Sequence, residues 1–202
     1  MNAFTIASDD AAPIIVLQTP ILDRMKPGEL KGVIAHECGH IHNEHLVYKN
    51  VIQQLLSSGS GGNAFGFVLS MANIALMQLW TRACEVTADR AAVICADDVN
   101  DVIGMQTKLL NGGILNKEFD EEINIDAIHR QLDMTLGNPT KILEVLTDHP
   151  AGARRIVMSE EFSQCETYYN WRPEKKKPGG KVLSKDEVDQ RCKRIFNILD
   201  NN

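Results

Sequence analysis

The chain is expected to be mainly α, of the α+β class, with a small antiparallel β-element confined to its N-terminus. Three observations predict this. Strand-like runs occur at residues 4–7 and 14–18, and little else in the sequence looks like sheet. Residues 78–96 continue without a Pro or Gly, as one uninterrupted helix would. Pro27, followed by Gly28 and Glu29, suits the first turn of a helix whose apolar stripe is Leu30, Ile34, Cys38 and Ile41.

In chain order, the two strands flank the turn-like residues 8–13 and are expected to pair as a hairpin. Thr19-Pro20 begins a short helical stretch to Met25, and the helix opened by Pro27 follows. Residues 57–62, Ser-Ser-Gly-Ser-Gly-Gly, are a flexible break. The next 17 residues, 64–80, are apolar. They sit at the lower length limit for a membrane span, carry Ser70, Asn73 and Gln78, and have no basic flank ahead of them. A buried core helix is expected there, running on through residue 96. Further helices are expected at 100–111, 126–136, 140–146 and from Pro150 to Met158. Pro, Gly and Lys mark 172–183 as a linker, and Ser184-Lys-Asp-Glu187 is a capping box that opens a terminal helix. Its stripe, Val188, Cys192, Ile195 and Leu199, suits docking on the same domain. The expected division is a domain over 1–171, a linker over 172–183 and a C-terminal helix over 184–202.

Composition narrows the function. Of 202 residues, 44% are hydrophobic and 24% charged, ordinary for a globular protein. A net charge of −6 offers no nucleic-acid footprint. Five scattered cysteines without a Cys-x-x-Cys pair fit reduced thiols in a cytoplasmic setting better than a disulfide framework. No signal peptide or membrane span is expected.

The chemistry starts at His36-Glu37-Cys38-Gly39-His40. On a helix, positions four apart differ by about 40° around the axis, so His36 and His40 face one side and can share a metal ion. Glu37 lies about 100° further round, placed to act on a water held at the metal. Zinc sites that do chemistry keep three protein ligands and leave one position open. Glu85, in Glu85-Val-Thr-Ala-Asp89, supplies the third. Asp89, one turn on, is placed to hold the free ring nitrogen of a ligating histidine, His36. Two acids among Ala83, Val86, Ala88, Ala91, Ala92, Val93 and Ile94 need partners, because burying unpaired carboxylates is expensive.

Other candidates are sorted by the same geometry. Counted along an unbroken helix, His42 and His45 turn about 200° and 140° from His40, towards solvent or capping roles. The longer metzincin pattern needs Gly at 43 and His at 46, where the chain has Asn43 and Leu46. Cys38 reads as a small core residue of the apolar stripe. Asp148-His149-Pro150, with Arg155-Ile156 after it, adds His149 as a candidate for the group that stabilises an oxyanion, helped by Arg155.

These blocks, in this order, resemble the HtpX-like gluzincin metallopeptidases, a family that includes the CAAX prenyl proteases. Asn2-Ala3-Phe4 is similar to that family's edge strand, and residues 27–45 to its active-site helix. Glu85-Val-Thr-Ala-Asp89-Arg90 resembles its Glu-x-x-Ala-Asp-Arg block, and His149-Pro150 with Arg155-Ile156 its His-Pro-x-x-x-x-Arg-Ile block. The resemblance covers roughly residues 2–158. It implies a zincin-like domain with one Zn2+ per chain on His36, His40 and Glu85, Glu37 as catalytic residue and His149 lining the site. Asp89 and Arg155 would stand behind the ligands, and Asn2, Ala3 and Phe4 would meet a protein or peptide substrate. Residues 80–90 resemble the soluble branch, which lacks a membrane hairpin between the two metal motifs. A helix and a strand that family members carry ahead of Asn-Ala-Phe have no counterpart before Met1, and the tail after Trp171 matches nothing in the family.

The expected activity is zinc-dependent endopeptidase hydrolysis with Glu37 as general base. Two rivals stand beside it: a zinc-bound adaptor or chaperone-like protein without turnover, and a membrane-associated protease of the same family. Retention of Glu37 argues against the adaptor, since a structural site needs no base beside the metal. Oligomeric state is not legible.

Overall fold

The hairpin and the helix that follows it set the frame for everything else. The structure, a computed structural model, describes residues 2–8, 11–48, 54, 64–110, 130 and 152–196, with backbone alone at 7–8 and 64–75. Strands β1 (Ala3–Ser8) and β2 (Ala11–Leu17) pair antiparallel, with Thr5 opposite Ile15 and Ile6 opposite Ile14. Alternation sends Thr5 inward at 8% exposure and leaves Phe4 and Ile6 outward at 41% and 55%. β2 takes in Pro13, which was expected in the turn. In a two-stranded sheet both strands are edges, where a missing N–H is tolerated.

Helix α1 (Thr19–Arg24) buries Ile21, and α2 (Pro27–His42) carries the His-Glu-x-x-His stretch. At the start of α2, Glu29 Oε2 accepts from the Lys26 backbone N–H at 2.8 Å and from Lys108 Nζ at 2.7 Å. That buried pair ties α2 to the helix carrying Lys108. The expected apolar stripe of α2 is not its buried face. Ile34 is 39% exposed and Cys38 is exposed, while Gly32, Val33, Ala35, His36, Glu37 and Gly39 are buried. The reason is chemical: the face that turns inward carries the histidines and the glutamate, so burial follows the site and not hydropathy. Cys38 is therefore not a core residue.

α3 (Ala64–Cys95) is one helix of 32 residues, continuous through the stretch from residue 78 that lacks Pro and Gly, as expected. Its C-terminal half is core, with Ala88 and Ala92 fully buried, but Leu76 and Leu79 are 64% and 47% exposed. The expectation of burial along its first half fails at those two positions. Among the described residues no helix is long and apolar enough to cross a membrane. α4 (Val99–Leu110) and α5 (Gly152–Ser163) pack on α2 and α3 through Val102, Met105, Met158 and Phe162. The expected helices at 126–136, apart from residue 130, and at 140–146, together with His149, lie outside the described residues.

The chain ends in α6 (Glu166–Trp171), a 3-10 turn (Pro173–Lys175) and α7 (Lys185–Phe196). The stretch expected as a linker is anchored at both ends. Arg172 Nη1 donates to the Ile94 and Ala96 carbonyls at 2.6 and 2.9 Å, capping the end of α3. Leu183 is 1% exposed and bridges to Cys165. α7 buries Val188 and Cys192 and pairs Asp189 with Arg90 and Arg191 with Glu161. Ser184 Oγ caps α7 by accepting from the Glu187 N–H at 3.2 Å. The Glu187 carboxylate reaches Arg191.

Candidate active site

The site forms where α2 and α3 come closest, and Gly39 permits the approach. A Cβ there would stand 2.9 Å from Ala91 Cβ and 3.0 Å from the Ala88 backbone. With no side chain at 39 and only methyls at 88 and 91, Glu85 is carried in beside the histidines. His36 Nε2 and His40 Nε2 are 3.1 Å apart, and each is 3.5 Å from an oxygen of Glu85. A tetrahedral zinc with bonds of 2.0–2.1 Å requires ligand atoms about 3.3 Å from one another. The distances are close to that spacing, His36 facing Oε2 and His40 facing Oε1 of Glu85, and two imidazoles with one carboxylate are a suitable donor set. Among the described residues these three form the cluster that could hold a metal ion.

Behind each histidine stands a partner on the other ring nitrogen. His36 Nδ1 lies 2.9 Å from Asp89 Oδ1. Arg155 backs that carboxylate in turn, with Nε and Nη2 donating at 2.7 and 2.6 Å, while its Nη1 lies 2.9 Å from Glu85 Oε2. Three guanidinium nitrogens thus contact carboxylates. These contacts put Arg155 behind Asp89 and Glu85, the position that the resemblance implies for it.

His40 Nδ1 lies 3.0 Å from His45 Nδ1, and the His45 ring stands edge-on to Trp80 with centroids 6.1 Å apart. This overturns the reading of His45 as a solvated or capping residue. It is 9% exposed, whereas His42 is exposed. Counting 100° per residue fails because α2 stops at His42. Asn43 caps it, donating from Nδ2 to the Gly39 carbonyl at 2.8 Å, and Glu44 takes a φ of 54°. The chain turns there, and residues 45–48 start a new helical direction that brings His45 back under His40. The Asn43 cap was the signal in the sequence that could have found it.

The electrostatics are those of a buried anionic site. Burial by itself would lower His36, but its contacts with Asp89 and Glu85 outweigh that and push its pKa up to about 9. Burial and the charge on His36 push His40 down to about 4. Burial likewise lowers His45. Burial would raise Glu85 and Asp89, yet His36 and Arg155 hold Glu85 well below the usual carboxylate range, and Arg155 does the same for Asp89. One proton held by the His36 ring supplies positive charge at a place where a cation would supply more.

Glu37 is 8% exposed and accepts from Thr5 Oγ1 at 2.6 Å, across 32 residues of sequence. Thr5 was not among the expected site residues. Its signal was parity: in β1 it falls on the face opposite Phe4 and Ile6. Asn2, Ala3 and Phe4 line one wall of a cleft of about 520 Å³, which His36, Glu37 and His40 also line.

The fold and these side chains define a class, a helical domain with a His-Glu-x-x-His centre completed by a glutamate from the next helix. The chain belongs to peptidase family M48, which it matches over residues 1–161. It is 31% identical over 130 residues to the plastoglobule-localized metallopeptidase 48 of Arabidopsis thaliana, covering 64% of this chain and 37% of that protein. It is 19% identical over 188 residues to the protease HtpX homolog 2 of Methanosarcina mazei, covering 81% and 63%. With the protease HtpX homolog of Helicobacter pylori it shares 26% over 182 residues, covering 77% and 56%. The chain thus spans less than two thirds of the length of these relatives. No solved structure matches it.

Proposed function

We propose that the chain is a zinc-dependent endopeptidase acting on protein or peptide substrates. The observation that carries this is the triangle of His36 Nε2, His40 Nε2 and Glu85 at 3.1, 3.5 and 3.5 Å, with Glu37 beside it and open to the same cleft. Family membership and the protease names of the relatives support it.

His36, His40 and Glu85 would hold one Zn2+, with Asp89 and His45 orienting the two rings and Arg155 fixing both carboxylates. When bound, the metal supplies Lewis-acid chemistry, acidifying a water and polarising the scissile carbonyl. Glu37 takes the proton of the attacking water and delivers it to the leaving amine. His149 is proposed, on its sequence context alone, to stabilise the oxyanion. The edge of β1 at Asn2, Ala3 and Phe4 would pair with an extended substrate, main chain to main chain.

The test is cleavage of an unfolded protein by zinc-loaded wild type and Glu37→Gln. Loss of about 10²- to 10⁴-fold in kcat, with bound zinc unchanged, is the expected result. Equal and negligible cleavage by both, with zinc bound, would favour the adaptor instead.

A further inference from the structure

We propose that Thr5 is a positioning residue for Glu37: its hydroxyl fixes the carboxylate of the general base and couples it to the strand that receives the substrate. This rests on the reading of the site as a peptidase. The contact is 2.6 Å and buried at both ends, Thr5 being 8% exposed. Such a length is that of a hydroxyl donating to an ionised carboxylate, stronger and more directional than a neutral hydrogen bond. A threonine in a strand can leave its hydroxyl to solvent or to a nearby carbonyl. Here it reaches across to another element, onto the one side chain of α2 that the mechanism needs as a base.

The geometry divides the work of the carboxylate. Oε2 is held by Thr5, which leaves Oε1 for the water and for the proton it gives up. When Glu37 carries that proton on Oε1, Thr5 still donates to Oε2, so nothing at Thr5 has to move during turnover. Thr5 also pairs with Ile15 in the hairpin and lines the cleft with Asn2, Ala3 and Phe4. The strand that would hold the substrate main chain therefore also sets the distance from that main chain to the base. Among the described residues, Thr5 is the side chain seen to hydrogen-bond to Glu37. Losing it frees the carboxylate to rotate without touching the metal ligands.

The test compares wild type, Thr5→Val, Thr5→Ser and Glu37→Gln as zinc-loaded full-length chains on a quenched-fluorescent peptide. Valine keeps the shape and removes the donor; serine restores the donor. Thr5→Val is expected to lower kcat about 10- to 100-fold, the size of effect that misplacing a reacting group produces. KM, zinc stoichiometry and melting temperature stay near wild type, and Thr5→Ser recovers most of the rate. A second readout needs no metal: the side-chain carboxyl 13C resonance of Glu37, assigned by its absence in Glu37→Gln, shifts in Thr5→Val and returns in Thr5→Ser. Wild-type kcat in Thr5→Val, a serine variant no better than valine, or an unmoved resonance would each overturn the proposal. If Thr5→Val does not fold, Thr5→Ala against Thr5→Ser replaces it: serine recovering over alanine supports the role, and equality overturns it. Glu37→Gln at full activity would sink the peptidase reading itself. An inactive Glu37→Gln beside a fully active Thr5→Val would sink only the role of Thr5.

Discussion

His45 touches no expected ligand atom at the metal corner, yet it stands behind His40 as Asp89 stands behind His36, at 3.0 and 2.9 Å. A partner on the outer nitrogen fixes tautomer and ring orientation, and its loss commonly weakens metal binding about 10- to 100-fold. His45→Ala is accordingly expected to lower zinc affinity by that factor in a competition with a chromophoric chelator, and His42→Ala to leave it unchanged. The proton on His36 makes a second residue-scale prediction. Its pKa is raised to about 9 in the folded, metal-free protein, above the ordinary value of about 6.5. The stability it contributes is therefore fully present below about pH 6.5 and is lost as pH rises through about 9. A metal must displace that same proton, so apparent zinc affinity should climb over the same window. Isothermal titration in buffers of different ionisation enthalpy should show proton release on binding, falling away above pH 9. Binding that is independent of pH between 6.5 and 9 would contradict this. His36, Glu37 and His40 were legible because their spacing is local helix arithmetic, and Glu85 because a catalytic zinc needs a third ligand and an acid on an apolar helix needs a partner. Thr5 and His45 were not, because one reaches its partner across 32 residues and the other lies beyond a helix break.

At the scale of elements, the site depends on the separation of α2 and α3. Gly39 faces backbone at Ala88 and the methyl of Ala91, neither of which can yield. Gly39→Ala should cost about 1–3 kcal/mol by overpacking and should weaken zinc binding as Glu85 is pushed from the histidines. Gly32 is the control: its added Cβ would meet Met105 Sδ at 3.3 Å, the far part of a flexible side chain. Thermal denaturation with zinc titration on the two alanine variants separates them, and equal effects would mean the close approach is not what sets the site. The helices themselves were readable from Pro27, the uninterrupted run through residue 96 and the caps. The inward face of α2 was misread, because hydropathy cannot foresee a helix that buries its histidines and exposes Ile34 and Cys38.

At the scale of the whole molecule, the C-terminal segment is fastened to the helix that carries Glu85 and Asp89. Arg172 caps α3, Arg90 of α3 pairs with Asp189, and Val188 is 1% exposed. Deleting residues 184–202 removes Val188 and Cys192 from the core and uncovers Leu183. That should cost on the order of 3 kcal/mol, or roughly 6–12 °C in melting temperature for a chain of this size. An unchanged melting temperature would mean that α7 is an appendage, as the Pro- and Gly-rich composition before it suggests.

The sequence by itself determined the class of the chain, the two-strand start, the helix bearing His36, Glu37 and His40, and the choice of Glu85 and Asp89 as their complement. The strands, the helix and the need of the two acids for partners follow from periodicity, from caps and from the cost of burying a charge, while the class follows from the resemblance of the ordered motif blocks to a known family. Tertiary structure alone decided that Thr5 meets Glu37, that His45 returns to His40, that Arg155 serves two carboxylates, and that Gly39 is the point of closest approach. All four depend on where a chain turns and how far apart two elements pack, quantities that no local spacing records.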